Sequence, residues 1–467
     1  MLLFVIFQEP LYRAIKNNSN IIGPNFPNNV NICIQGYADD SSVLISTDQS
    51  ICEVYSEIQR FELATGAVLN KQKTSIMGIG KWSSRSRWPL NWLVTVECMK
   101  ILGIYYYNDF KLSIEKNWSE VSRKIETSVN MLGQRQLSLF QKAIIINTVI
   151  LSKVWYITHT VPVIKSYVLK INANIFRYLW RGSYRPINRN TLCLPRKQGG
   201  LGLINVHLKA VAIFTSACLK NIICDIGLSN FYCKMRLSYL VDTKEIETVS
   251  LTTPTFYTVA IDCIRKVCRN KGFPLLKSKD IYAIIMPKIK PIVEDSYPLL
   301  DWELTWKSVN VSFIGTIERE FVFKYIHGTL ATNQRLEMLK LRTNGRCERC
   351  GESEYIMHLV YFCNFIRPTL RYFQNTLLET CNIKNDRFLN TLLFNFVYKT
   401  KKEFNTAVIL IVGYLYVVWV SKKHEYTKEE TLEFVKSIFH YDRWILNMSL
   451  KDNVKTLFTK KYIDYRF

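Results

Sequence analysis

Two spacings of hydrophobic residues alternate along the first hundred positions. Val30-Asn31-Ile32-Cys33-Ile34 and Val43-Leu44-Ile45 are apolar or alternating runs on either side of Tyr37-Ala38-Asp39-Asp40, a pattern that predicts a β-hairpin. Leu11, Ala14 and Ile15 form a short helical pattern between Pro10 and Asn17. From Ser50 the period becomes helical again, with Ile51, Val54, Tyr55, Ile58, Phe61 and Leu63 assigned to one side and Thr65-Gly66 as the stop. Val68-Leu69-Asn70 and the run from Lys100 to Tyr107 read as extended. Such βα alternation predicts a small α+β sheet domain ending near residue 107.

Helical spacing dominates beyond that point. Val121, Ile125, Val129 and Leu132 recur on one face, and Ser138-x-x-Gln141 has the form of a capping box opening an apolar helix through Ile144, Val149 and Val154. A third helix is expected from about Ser166, with Val168, Ile171, Ile175 and Leu179 inward and Lys165, Lys170, Arg177 and Arg181 off that face. Residues 181–186 and 195–200 are basic and turn-rich, and residues 205–320 read as mixed and mostly helical. The most apolar run, Ala407 to Val420, is fourteen residues long. A membrane span needs about 18–20, so this run reads as a buried core helix. Met1 to Phe7 is apolar but carries no basic residue and breaks at Gln8-Glu9-Pro10, too short for a signal peptide. The expectation is an intracellular protein of nucleus or cytoplasm, with no membrane partner.

Charge sharpens this picture. The chain has 467 residues, 62 Lys+Arg against 38 Asp+Glu, and a formal net charge of +24. An excess of this size points to a polyanionic partner, with nucleic acid first. At 48% hydrophobic and 13% aromatic residues, the chain has ample core material and is not a disordered basic tail. Thirteen cysteines, an odd number and mostly scattered, do not make a disulfide scaffold.

Two constellations carry chemistry. In Tyr37-Ala38-Asp39-Asp40, adjacent carboxylates at a tight turn repel unless a cation such as Mg2+ neutralises them. Successive strand residues face opposite ways, so two-metal nucleotidyl transfer needs a further carboxylate from a neighbouring strand. A plain Asp-Asp turn is the alternative. The second is Cys347-x2-Cys350-x7-His358-x4-Cys363. Cys-x2-Cys turns two thiolates onto one ion, and His358 with Cys363 closes a Cys3His shell. Four protein ligands leave no open position, so the zinc is structural. Gly351 suits the turn. His327 lies nearby in sequence and reads as a core or surface residue.

The order of segments resembles a reverse transcriptase of the non-LTR (LINE-type) retrotransposons. Leu2 to Leu11 is similar to the helix after that family's template-contact motif, and Tyr37-Ala38-Asp39-Asp40 to its catalytic hairpin. Phe61, Thr65-Gly66, Leu69-Asn70 and Lys73-Thr74 match the following motif, and Leu102-Gly103-Ile104 resembles the primer grip. Phe176 to Trp180, Leu194-Pro195 and Gly199-Gly200-Leu201-Gly202-Leu203 resemble the region after the polymerase. Phe321, Lys324, His327-Gly328 and Leu330 resemble the approach to its zinc-binding segment.

The resemblance implies an α+β architecture: a partial palm over 1–107, a helical thumb with basic loops over 108–204, a helical connector over 205–320, a zinc-binding segment over 321–366 and a helical tail over 367–467. It implies RNA-templated DNA synthesis in the complete enzyme, with Asp39 and Asp40 as catalytic Mg2+ ligands. Tyr37, Asn70, Lys73, Leu102 and Gly103 then border substrate, and RNA template and DNA primer or target are the partners. Before Asp39 the chain's one carboxylate is Glu9. The family's other magnesium-binding Asp lies well upstream of the hairpin, so this chain alone is expected to be inactive as a polymerase. The alternative is a non-catalytic, zinc-dependent RNA- or DNA-binding protein, or a non-functional relic of the element.

Overall fold

A computed structural model describes residues 2–24, 34–38, 40–181, 186–223, 233, 237, 255–267, 276–383 and 388–448. The fold is mixed and helix-rich, with three two-stranded sheets among the described residues. The chain divides into two compact units, each assembled from three segments.

The first unit comprises Met1–Ser128, Leu151–Asn174 and Val206–Met286. Its hairpin pairs β1 (Ile34–Tyr37) with β2 (Asp40–Val43) antiparallel, Tyr37 opposite Asp40. The hairpin thus lies at the acidic tetrapeptide, but both strands run into it: the tetrapeptide supplies the last pair of the ladder, and Ala38 takes a left-handed φ of 52° in the turn. The expected strand residues 30–33 lie outside the described residues. Ile15, Ile21, Ile34 and Val54 make a small core where the Leu2–Asn17 and Asp48–Thr65 helices meet the hairpin. Tyr12 adds a polar link, its hydroxyl 2.7 Å from Ser41 Oγ.

Thr47 caps the second of those helices by accepting from Ser50 N–H, and Gly66 ends it by donating to Glu62 O. Leu63, assigned to the apolar side from sequence, is 89% exposed. At 3.6 residues per turn it sits about 120° around the helix from Ile51, off the buried stripe.

Further along, β3 (Ser75–Ile76) pairs parallel with β4 (Val94–Thr95), and β5 (Cys98–Ile101) antiparallel with β6 (Ile104–Tyr107). Leu102 and Gly103 form the β5–β6 turn, both with positive φ. The Phe110–Gly133 helix holds β6: Asn117 accepts from Tyr105 N–H and donates to its carbonyl, while Ser113 Oγ accepts from Tyr107 N–H. A larger core gathers Phe214, Leu219, Ala260, Ile264 and Ile281 from the Val206–Ile223, Thr255–Val267 and Ser278–Ile285 helices.

The second unit comprises Val129–Ile150, Ile175–Asn205 and Pro287–Phe467. The Ser138–Gln141 capping box is present in full. The helix it opens, Leu139–Ile145, gives way to a π-helical turn at Ile146–Ile150 instead of continuing, and Ile144 and Val149 face solvent. Lys142 is buried beneath it, donating to Tyr178 O and Leu179 O at a helix C-terminus, and burial pushes its pKa down to about 8.

The Lys401–Lys423 helix forms the centre of this unit, with thirteen residues buried over its length. It is long and apolar enough to cross a membrane, but 72% of its apolar window is buried inside the protein. The expected core helix is therefore what the fold contains. The Arg367–Cys381 and Lys428–Met448 helices pack on it, and Tyr414 stacks on Phe373 at 4.2 Å with rings 2° from parallel.

His327, in the same unit, is partly buried in stacking contact with Trp306, and its Nε2 lies 2.8 Å from Gly199 O, where it donates. Gly199 has φ 78°, and a Cβ there would meet the Trp306 ring at 2.5 Å. Gly199→Ala should cost about 2–4 kcal/mol, from left-handed strain and overpacking, read as a shift of the denaturant midpoint. Burial also pushes the His327 pKa down to about 4 from 6.5. The unfolded chain then binds the extra proton between those values, so His327 stabilises the fold above pH 6.5 and loses that contribution as pH falls toward 4. The loss is about 3 kcal/mol, and His327→Gln should flatten that part of the stability–pH curve.

Candidate metal centre

A short turn brings the first two ligands together. Cys347 N–H donates to Glu352 O at 2.7 Å and Gly351 N–H donates back to Cys347 O at 2.8 Å. Arg346 and Ser353 bridge antiparallel just outside this loop. Gly351 takes φ 79°, which turns the chain sharply after Cys350.

The other two ligands sit on a π-helical turn, His358–Phe362. Cys363 N–H donates to His358 O, a bond spanning five residues. In an α-helix, position 362 would share a face with His358. The extra residue of the π turn places Cys363 there instead and leaves Phe362 turned to solvent, half exposed.

Cys347, Cys350, His358 and Cys363 thus converge, with all four ligand atoms within 4.8 Å of one another. A tetrahedral zinc with bonds of about 2.3 Å separates its sulfurs by about 3.8 Å, and Cys350 Sγ and Cys363 Sγ are 3.8 Å apart. His358 Nε2 is 3.2 Å from Cys350 Sγ. Cys347, His358 and Cys363 are buried, and Cys350 forms the more open edge. Donation from the Cys363 thiol, with further help from His358 and Cys350, holds the Cys347 thiol well below its usual range. Cys363 moves the opposite way, so the pair shares a proton that a cation would displace. These donors fit zinc, and the set could bind it as a closed, structural shell.

Residues distant in sequence hold the two turns. Arg349 donates to Ser421 O and lies over the Phe365 ring at 4.1 Å, its positive charge felt by Cys347 and Cys363. Glu354, 1% exposed, accepts from Asn333 N–H and pairs with Lys422. Tyr414 OH donates to Val360 O within the π turn at 2.6 Å. The Lys401–Lys423 helix therefore anchors both halves of the site. Spacing alone revealed the four ligands but not Arg349, Glu354, Tyr414 or Lys422. The x4 gap between His358 and Cys363, five residues rather than four, is the one signal that foretold the π turn.

The other predicted site residues lie in three separate turns. Asp39 lies outside the described residues. Tyr37 and Asp40 are exposed at the hairpin end, and among the described residues no third strand pairs with β1 or β2. Asn70 shapes its own turn, Oδ1 accepting from Lys73 N–H at 3.1 Å and its carbonyl from Thr74 N–H at 3.0 Å. The Lys73 side chain is exposed, and the hydroxyl of Tyr156 donates to Leu102 O beside Gly103.

No protein-family profile matches the chain. It is 24% identical over 186 residues to the uncharacterized 149 kDa protein of transposon TX1 from Xenopus laevis, an alignment covering 38% of this chain. The alignment takes in only 14% of that protein's length. This weak similarity to a transposon protein is consistent with a chain derived from a mobile element.

Purified protein should carry one zinc, and Cys347→Ser should abolish stoichiometric loading measured by metal analysis. Arg349→Gln should keep the site but weaken affinity about tenfold in a chelator competition, since a neighbouring positive charge that favours the thiolates is lost.

Proposed function

We propose that this chain is a portion of a non-LTR retrotransposon reverse transcriptase, and that its own residues serve chiefly to hold RNA and DNA around a zinc-stabilised module. The observation that carries the reading is the closed Cys3His cluster. It sits in a chain of net charge +24 with similarity to a transposon protein. A metal with four protein ligands has no position left for substrate, so its contribution is to fix the backbone that presents basic and aromatic side chains. Partners on this reading are an RNA template and a DNA primer or target, met inside the cell.

In the complete polymerase Asp39 and Asp40 would hold Mg2+, which supplies charge neutralisation at the transferring phosphoryl group. Tyr37 would border the metal site, Lys73 and Asn70 the incoming nucleotide, and Leu102 and Gly103 the primer end. The palm, thumb, connector, zinc segment and tail would follow the expected boundaries at 107, 204, 320 and 366. One hairpin cannot complete a two-metal clamp without a carboxylate from an adjacent strand. The chain by itself is accordingly a binder of nucleic acid and not a polymerase.

Fluorescence anisotropy with a labelled RNA oligonucleotide tests this. Affinity should fall at least tenfold between about 50 and 200 mM salt, and should drop again after chelation or in Cys347→Ser. Magnesium-dependent primer extension should be absent. Zinc-independent binding, or any magnesium-dependent extension by the chain alone, would overturn the reading.

A further inference from the structure

The metal cluster has one open side, and a recess of about 260 Å³ lies against it. Cys350 and His358 form its back, and Tyr355, Phe362, Ser353 and Asn364 are among the residues around it. The volume is just under the range of about 300–1,000 Å³ that suits small-molecule cofactors. It suits a single planar group instead. Tyr355 is 41% and Phe362 50% exposed, with ring centroids 6.4 Å apart and planes inclined at 48°. The two rings are thus neighbours set at an open angle beside the recess, each with a large part of its surface in solvent. The π turn that completes the metal shell is also what turns Phe362 outward, so the recess exists because the ligands are in place.

We propose that this recess receives one unpaired nucleobase, stacked on Phe362 with the Tyr355 ring against its edge, and with Ser353, Asn364 and Glu352 offering hydrogen-bond groups. The inference rests on the nucleic-acid reading above and names where that binding discriminates single strands. Three features favour a base over other planar groups. The chain is strongly basic, which draws polyanions. Glu352 at the recess is acidic, which disfavours a phosphate in the pocket itself but accepts from the amino groups of bases. Bases in duplex are stacked on each other and cannot enter, so the site selects single strands.

The test uses the zinc-loaded full chain, with single-stranded and duplex oligonucleotides of equal phosphate number, in RNA and DNA forms. Phe362→Ala and Tyr355→Ala should each weaken single-strand binding about tenfold, within the span of one lost stacking contact. Duplex binding and the salt slope should not change, and Phe362→Trp should restore affinity. Zinc content and the thermal midpoint are measured on each variant, and a variant that has lost its metal is replaced by Phe362→Leu, which keeps bulk without a π face. The RNA and DNA arms identify which strand supplies the base, and either one supports the proposal. Unchanged single-strand affinity in metal-loaded variants, or equal losses for duplex and single strand, would overturn it while leaving the nucleic-acid reading intact. If the unmodified, zinc-loaded chain binds neither strand, both readings fall.

Discussion

The Lys401–Lys423 helix has apolar residues on every side, and the second unit is organised by the need to cover them. A helix with one apolar stripe can rest on a single neighbour, but this one buries Phe404, Ala407 through Leu415, Val417 and Val418. The Arg367–Cys381 and Lys428–Met448 helices cover part of it, the Thr316–Ile326 helix another, and the His358–Phe362 turn a third. Such a helix has almost no side on which to place polar anchors. They collect at its ends. Thr400 and Glu403 form a capping box at the start, and Ser421 and Lys422 meet Arg349 and Glu354 at the finish. The Cys347–Cys350 turn is attached where the helix again has polar groups to offer, and the π turn by the Tyr414 hydroxyl midway along it.

That attachment sets the electrostatics of the site. Glu354 is buried, and isolated it would carry a heavy desolvation cost, but Lys422 and the Asn333 N–H satisfy it. Arg349 plays the matching part for the sulfurs. Its guanidinium is held by Ser421 O and the face of Phe365, beside two thiols that share a proton. Three cysteines and a histidine brought this close without a cation crowd soft, partly ionised donors into an apolar surround. A divalent ion would relieve the crowding and cross-link two turns that have little regular structure of their own. Fold and metal are coupled through the same few contacts.

Local patterns carried much of this in the sequence. The hairpin at Tyr37–Asp40, the stop at Gly66, the capping box at Ser138 and the buried helix near 407–420 each depend on residues a few positions apart. The four metal ligands were legible for the same reason, since their spacing is confined to seventeen residues. Leu63 was misplaced because an apolar residue was counted without its angle around the helix. The π turn at Ile146–Ile150 was missed because helical periodicity does not announce one extra residue. Arg349 with Ser421 and Glu354 with Lys422 were not legible at all. Partners some seventy residues apart in the chain meet only after the core helix has packed, and no local pattern records them.

The Cys3His cluster and the acidic hairpin differ in how much of the described structure holds them. The hairpin is a two-stranded ribbon with exposed Tyr37 and Asp40 at its tip, tied down through Ile34 and the Tyr12–Ser41 contact. Two strands alone are marginal in water, and this pair owes its hold to the two helices that meet it. The Cys3His centre has each turn fixed by backbone hydrogen bonds, each turn tied to a buried helix, and a complete ligand set. The metal turns are therefore held by more of the described structure than the hairpin tip is.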